Sequence, residues 1–94
     1  MAVVVVAEID GGNQEFFERV SSQAMPNAEL PDGCQLQIAG PTEGGWRVIT
    51  VWDSEEEYNQ FRNDKLLPAL RDGGEGDRIA PTITTDPVHR VLTA

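Results

Sequence analysis

The chain has 94 residues and a formal net charge of −9, from 16 acidic side chains against 7 lysines and arginines. That length makes one domain with a modest core, near the size at which association with a second copy supplements stability. The acidic balance, without any Lys/Arg run, excludes nucleic acid and anionic membranes as partners, because both would repel the chain.

Cys34 is the only cysteine, so no intrachain disulfide and no cysteine-built metal site is expected. No basic leader, apolar signal core or membrane-length run is read in the sequence. A reducing, cytoplasmic setting is the expectation.

The first element spans Ala2 to Ile9 and includes four consecutive valines. β-Branched residues in an unbroken run predict a strand covered on both faces. Asp10, Gly11 and Gly12 break it, and Asn13 is placed to cap a helix of about a dozen residues, with Phe16, Phe17, Val20 and Ala24 as its apolar stripe. Pro26 ends that helix by Met25, since the residue before proline avoids helical geometry.

A polar connection from Pro26 to Gly33 leads to a strand in which Cys34, Leu36 and Ile38 alternate with Gln35, Gln37 and Ala39, the pattern of a sheet with one wet face. Gly40 to Gly45 reads as a glycine-rich hairpin loop. In the strand that follows, Trp46, Val48, Thr50 and Trp52 share one face and Arg47, Ile49, Val51 and Asp53 the other. Apolar bulk on both sides predicts a central position.

Ser54 followed by Glu57 fits a capping box, and Glu55, Glu56 and Glu57 place negative charge where the helix dipole favours it. Tyr58, Phe61, Leu66, Leu67 and Leu70 supply the buried side of that helix. Pro68 predicts a kink or break between Asp64 and Leu67, because proline removes a donor and clashes one turn back. Asp72 to Asp77, DGGEGD, is expected to be a mobile loop, and Ile79 to Leu92 to hold one last strand, or two divided near Pro87.

This order predicts an α+β protein, a single ferredoxin-like βαββαβ domain over residues 1–94, with a four-stranded antiparallel sheet whose first and third strands are central. Both helices then cover one sheet face. The apolar residues of the opposite face predict a homodimer formed through the sheets.

The residues VITVWDS from Val48 to Ser54, the Glu-rich helix start, Phe61 and the closing PVHRVL from Pro87 to Leu92 resemble the dimeric α+β barrel superfamily of antibiotic-biosynthesis-monooxygenase-like proteins. The resemblance spans nearly the whole chain. It implies a homodimer closed through the sheet faces into an α+β barrel. Members include cofactor-free oxygenases acting on aromatic polyketides, haem-degrading enzymes, decarboxylases and isomerases, and many small proteins without an assigned role, the group this sequence is most similar to. The haem-degrading members use an Asn on the first strand, a Trp within the second helix and a His near that helix's end. Here the first strand has no Asn, the Trp position matches Phe61 and the His position matches Arg71. Arginine is not a haem ligand, so neither haem nor another cofactor is expected.

His89 is the only histidine and the candidate general base, since it alone titrates near neutrality unperturbed. Its other reading is a structural residue beside Arg90. Trp46, Trp52, Tyr58 and Phe61 are candidates to stack on a flat ligand, or else to form the core or dimer interface. Arg47 is a candidate for holding a ligand carboxylate or phenolate, or for pairing with an acidic neighbour. Cys34 reads as a small buried apolar residue. Two functional classes follow: a homodimer of unassigned role that binds a small aromatic ligand between sheet and helices, and a cofactor-free monooxygenase or cyclase acting on an aromatic or polyketide-like substrate.

Overall fold

The computed structural model describes residues 1–72 and 81–94. Strand β1 (Val3–Asp10) leads through Gly11 and Gly12 into helix α1 (Gln14–Ala24). The Oδ1 of Asn13 accepts the Phe16 N–H at 2.8 Å, satisfying one of the donors a helix start leaves open. Met25 closes the helix, and Pro26–Ala28 form a single 3-10 turn. Asn27 and Ala28 both take positive φ, 64° and 56°, a conformation that asparagine tolerates and that costs alanine about 1 kcal/mol.

Strand β2 (Cys34–Thr42) and strand β3 (Gly45–Trp52) form a hairpin. The ladder runs to Thr42 opposite Gly45, so the turn is Glu43–Gly44 alone, with Gly44 at φ 82°. The loop expected from Gly40 to Gly45 is thus shorter. Pro41 sits within the strand, which is permitted because β2 is an edge strand and proline's missing donor leaves no ladder bond broken there.

Helix α2 (Glu55–Phe61) starts at Ser54, whose Oγ accepts the Glu57 N–H at 3.2 Å while donating to Glu57 Oε1 at 3.1 Å. The break expected ahead of Pro68 is a π-helical turn at Arg62–Leu66, followed by α3 (Leu67–Asp72). The Leu67 N–H donates to Arg62 O, five residues back, which widens the turn just before Pro68. The wide turn takes up the proline's missing donor without ending the helix. Strand β4 (Thr82–Pro87) is a single strand, and beyond it Val88 N–H donates to Ala2 O at 2.9 Å. The expected loop at 73–77, with Ile79 and Ala80, lies outside the described residues.

The sheet is antiparallel, in the order β2-β3-β1-β4, with the first and third strands central as expected. Val5 pairs with Thr50 and with Thr85, and the register holds along β1 from both sides. Helices cover only one face. There, Ile9, Phe16, Val20, Ala24, Trp46, Ala69 and Leu70 form one buried cluster and Val3, Val5, Trp52 and Tyr58 a second, with Phe61 packed against both.

One register irregularity corrects the expected alternation of β2. Between Cys34 and Leu36 the pairing slips, so Cys34 lies opposite Trp52 but Leu36 lies opposite Val51. This bulge leaves Gln35 as the extra residue and reverses the faces beyond it. Leu36 and Ile38 join the uncovered face, and Gln37 and Ala39 join the helix side.

Candidate functional site

Between the helix-covered face and the helices lies a partly open apolar chamber of about 100 Å³. Its floor carries Val5, Val48, Thr50 and Trp52, and its roof Phe16 and Val20 of α1 with Tyr58 and Phe61 of α2. The alternation of β3 places Thr50 and Trp52 together on this floor. The spacing of Tyr58 and Phe61 puts both on one side of α2.

Trp52 is the centre of an aromatic group. Its ring lies 5.6 Å from Tyr58 in an edge-on arrangement and 5.3 Å from Phe61, tilted by 38°. Such contacts favour tilted and edge geometries because the ring face is negative and its edge positive. Trp52 is 1% exposed, and its indole N–H donates to Thr50 Oγ1 at 2.8 Å. Gln37, brought to this side by the bulge, donates through Nε2 to Met25 Sδ at 3.8 Å. Thr50, Gln37 and Met25 line the chamber, together with Ser21 of α1 and the phenol of Tyr58.

No charged side chain lines it among the described residues. Burial pushes the Tyr58 phenol above its ordinary value, with nearby Arg62 pulling it part of the way back. The chamber thus offers neutral hydrogen-bonding groups and aromatic faces, and no pair of acid and base at neutral pH. A second, more open depression of about 210 Å³ lies beside Pro31, Asp32, Glu57 and Lys65. Among the described residues no group of His, Cys, Asp or Glu side chains is arranged to hold a metal ion.

The candidate residues separate sharply. Trp52, Tyr58 and Phe61 line the chamber. Trp46 is buried in the core beside it, 5.5 Å from the Phe17 ring, with its own N–H unpartnered. Arg47 projects from the opposite sheet face and pairs with Glu8 at 3.3 Å, the acidic-neighbour reading of that residue. His89 is exposed on a bend after β4, off the strand where it was expected and outside the chamber walls. Cys34 is half-buried and donates to Leu36 O at 3.5 Å. Its thiol is raised mainly by burial.

Thr50 could be placed on this face from strand period alone, though its role as the indole's acceptor could not. Gln37 could not be found by alternation, because the bulge that turns it inward carries no glycine to announce it.

No family model matches the sequence, and no curated protein matches it either. Solved structures do. SnoaB from Streptomyces nogalater, a cofactor-independent oxygenase, superposes with a TM-score of 0.68 at 11% identity over 99% of this chain and 98% of its own. A protein assigned to the antibiotic biosynthesis monooxygenases from Chloroflexus aurantiacus gives 0.66 at 14% identity, over 98% of both chains. The chain has the fold of antibiotic-biosynthesis-monooxygenase-like proteins. A further structure with this fold is a mutant of MhuD with two manganese protoporphyrin IX molecules bound per active site, at a TM-score of 0.64 and 20% identity over 98% of this chain and 99% of that one.

The chamber does not fit a porphyrin. A macrocycle far exceeds about 100 Å³.

Proposed function

We propose that this chain works as a homodimer that holds a small, flat, largely apolar ligand in the chamber between sheet and helices. The observation that carries this reading is the grouping of Trp52, Tyr58 and Phe61 around a chamber that no charged side chain lines among the described residues. Ligand sites are typically concave and apolar, with a few placed polar groups. A volume of about 100 Å³ suits a single ring at most.

The dimer is supported by the uncovered sheet face. Val4, Val51 and Leu36 form one cross-strand row on it, and Val6, Ile49 and Ile38 the next. Ile38 is 54% exposed within the single chain. Val51 is already buried in the single chain, and the five aliphatic side chains around it are half-buried or exposed, a patch that a second copy would cover.

A thermal-shift screen with planar phenols and quinones tests the ligand reading. At a ligand concentration about a hundredfold above Kd, the melting temperature should rise by at least about 5 °C. A panel of single-ring compounds that produces no rise would show the chamber to be only a packing defect.

The fold likeness to SnoaB favours a second reading, a cofactor-free oxygenase acting on an aromatic or polyketide-like substrate. Such a reaction needs a base, and the chamber walls supply none that titrates near neutrality. In this reading His89 is that base. Its signature is oxygen uptake with a planar phenol, lost in His89→Gln while ligand binding persists.

A further inference from the structure

We infer that the chamber selects its ligand by a neutral carbonyl oxygen, received by the Thr50 hydroxyl with the Gln37 amide beside it. This deepens the proposed ligand-binding reading and rests on it. The indole of Trp52 can donate one hydrogen bond and accept none. Buried at 1% exposure, it satisfies that donor on Thr50 Oγ1 at 2.8 Å. The bond occupies a lone pair of the hydroxyl and leaves its hydrogen directed away from the indole. Among the described residues nothing accepts that hydrogen. Thr50 lines the chamber, so the floor carries a hydrogen-bond donor whose orientation is set from behind.

Gln37 is the direct cross-strand partner of Thr50. Opposite side chains in an antiparallel pair stand about 5 Å apart at Cβ, so the two polar ends share one end of that row across the sheet. The Gln37 amide spends one of its two hydrogens on Met25 Sδ, a weak acceptor at 3.8 Å, and keeps the other. On the other side of Thr50 the row continues into Val5, which is apolar. Two donors at one end of an aromatic chamber suit a ring system bearing a carbonyl. A carboxylate is disfavoured, because among the described residues no cation lines the chamber to offset the cost of drying the charge.

The test compares two single-ring probes of the same skeleton, acetophenone with its carbonyl and ethylbenzene without. Binding to the full-length protein is followed by calorimetry and by the Trp52 indole N–H resonance. The ketone should bind about tenfold more tightly, the worth of a hydrogen bond made in place of none. It should also shift the indole resonance, because a Thr50 hydroxyl that donates onward accepts more strongly. Thr50→Ser should keep the preference. Thr50→Val should bring the ratio close to one. Since that variant also strips the indole of its acceptor, Gln37→Leu provides a second arm that leaves no buried indole unpaired, and it should lower the ratio with melting unchanged. Equal affinities in the wild type, or an unchanged ratio in Gln37→Leu and in folded Thr50→Val, overturn the inference. If both probes bind equally, the ligand site stands and only the carbonyl preference falls. If neither binds, the ligand-site reading falls and takes this inference with it.

Discussion

The two faces of the one sheet are made from the same strands and end in different conditions. On the helix side, Trp52 is almost sealed from solvent, ringed by Tyr58 and Phe61 and tied to Thr50 by a hydrogen bond. On the other side, the rows Val4-Val51-Leu36 and Val6-Ile49-Ile38 are aliphatic across three strands and end on β4 in Asp86 and Thr84, bordered by the Glu8–Arg47 pair. The first face is specified by shape and directed bonds, the second chiefly by apolar area. A face of the first kind can discriminate among ligands. One of the second kind suits a broad, flat contact.

The sharpest way to break this comparison is to place the same charge on adjacent residues that point to opposite faces. Val5 is 2% exposed on the helix side, and Val6 is its half-exposed neighbour on the other. Val5→Asp buries an unpaired carboxylate, at a cost of several kcal/mol, comparable with the whole stability of a domain this size. Loss of the cooperative melting transition is the expected result. Val6→Asp should leave the single chain folded, as circular dichroism would show, while light scattering falls from twice the monomer mass to one. A wild-type protein that scatters as a monomer would sink the dimer.

A smaller effect separates the ion pair from both apolar regions. Arg47 and Glu8 are about half exposed, so water and salt screen their attraction. Arg47→Ala should lower stability by no more than about 1 kcal/mol and leave ligand affinity unchanged. A tenfold loss of affinity would place Arg47 at the ligand after all.

The contrast between the faces also explains what could be read from the sequence. β3 was legible because its period-two alternation survives intact, with Trp46, Thr50 and Trp52 on the covered side and Arg47, Ile49 and Val51 on the other. The caps at Asn13 and Ser54 were legible because capping is local chemistry of three or four residues. The helix through Pro68 was read correctly as irregular but not as continuous, since a π-turn depends on hydrogen bonds that sequence spacing does not show. The strand β2 was read correctly, but the faces of its side chains beyond Gln35 were not, for a related reason. The bulge at Gln35 is stabilised by tertiary context, including the Gln35 amide donating to Asp53 Oδ1 at 2.7 Å, and one added residue inverts every side chain after it. The chamber lining reflects both outcomes: Trp52, Tyr58 and Phe61 were candidates from the sequence and line it, and Gln37 lines it without having been one. Arg47 lay on a face whose environment alternation cannot name, and His89 lay past the end of its strand.

The smallest expected effect lies within the covered face and appears only in alkali. The Tyr58 phenol is raised above its ordinary value chiefly by burial, with Arg62 opposing. Below about pH 10 both the folded and unfolded chains keep the phenolic proton, and the stability gained by burying the neutral ring is fully present. As pH climbs past that value, the unfolded chain releases its proton first while the folded chain retains it. The folded state then binds more protons, so stability falls with rising pH until the folded phenol also ionises. Cys34, likewise raised by burial, adds a loss of the same sign beginning at about pH 8.5. Tyr58→Phe removes only the upper component. Its melting temperature should follow the wild type up to about pH 9.5 and decline less steeply above it, a divergence that Arg47→Ala should not reproduce. If Tyr58→Phe and wild type instead decline together to about pH 11, the phenol is in contact with water and the chamber is open on the α2 side.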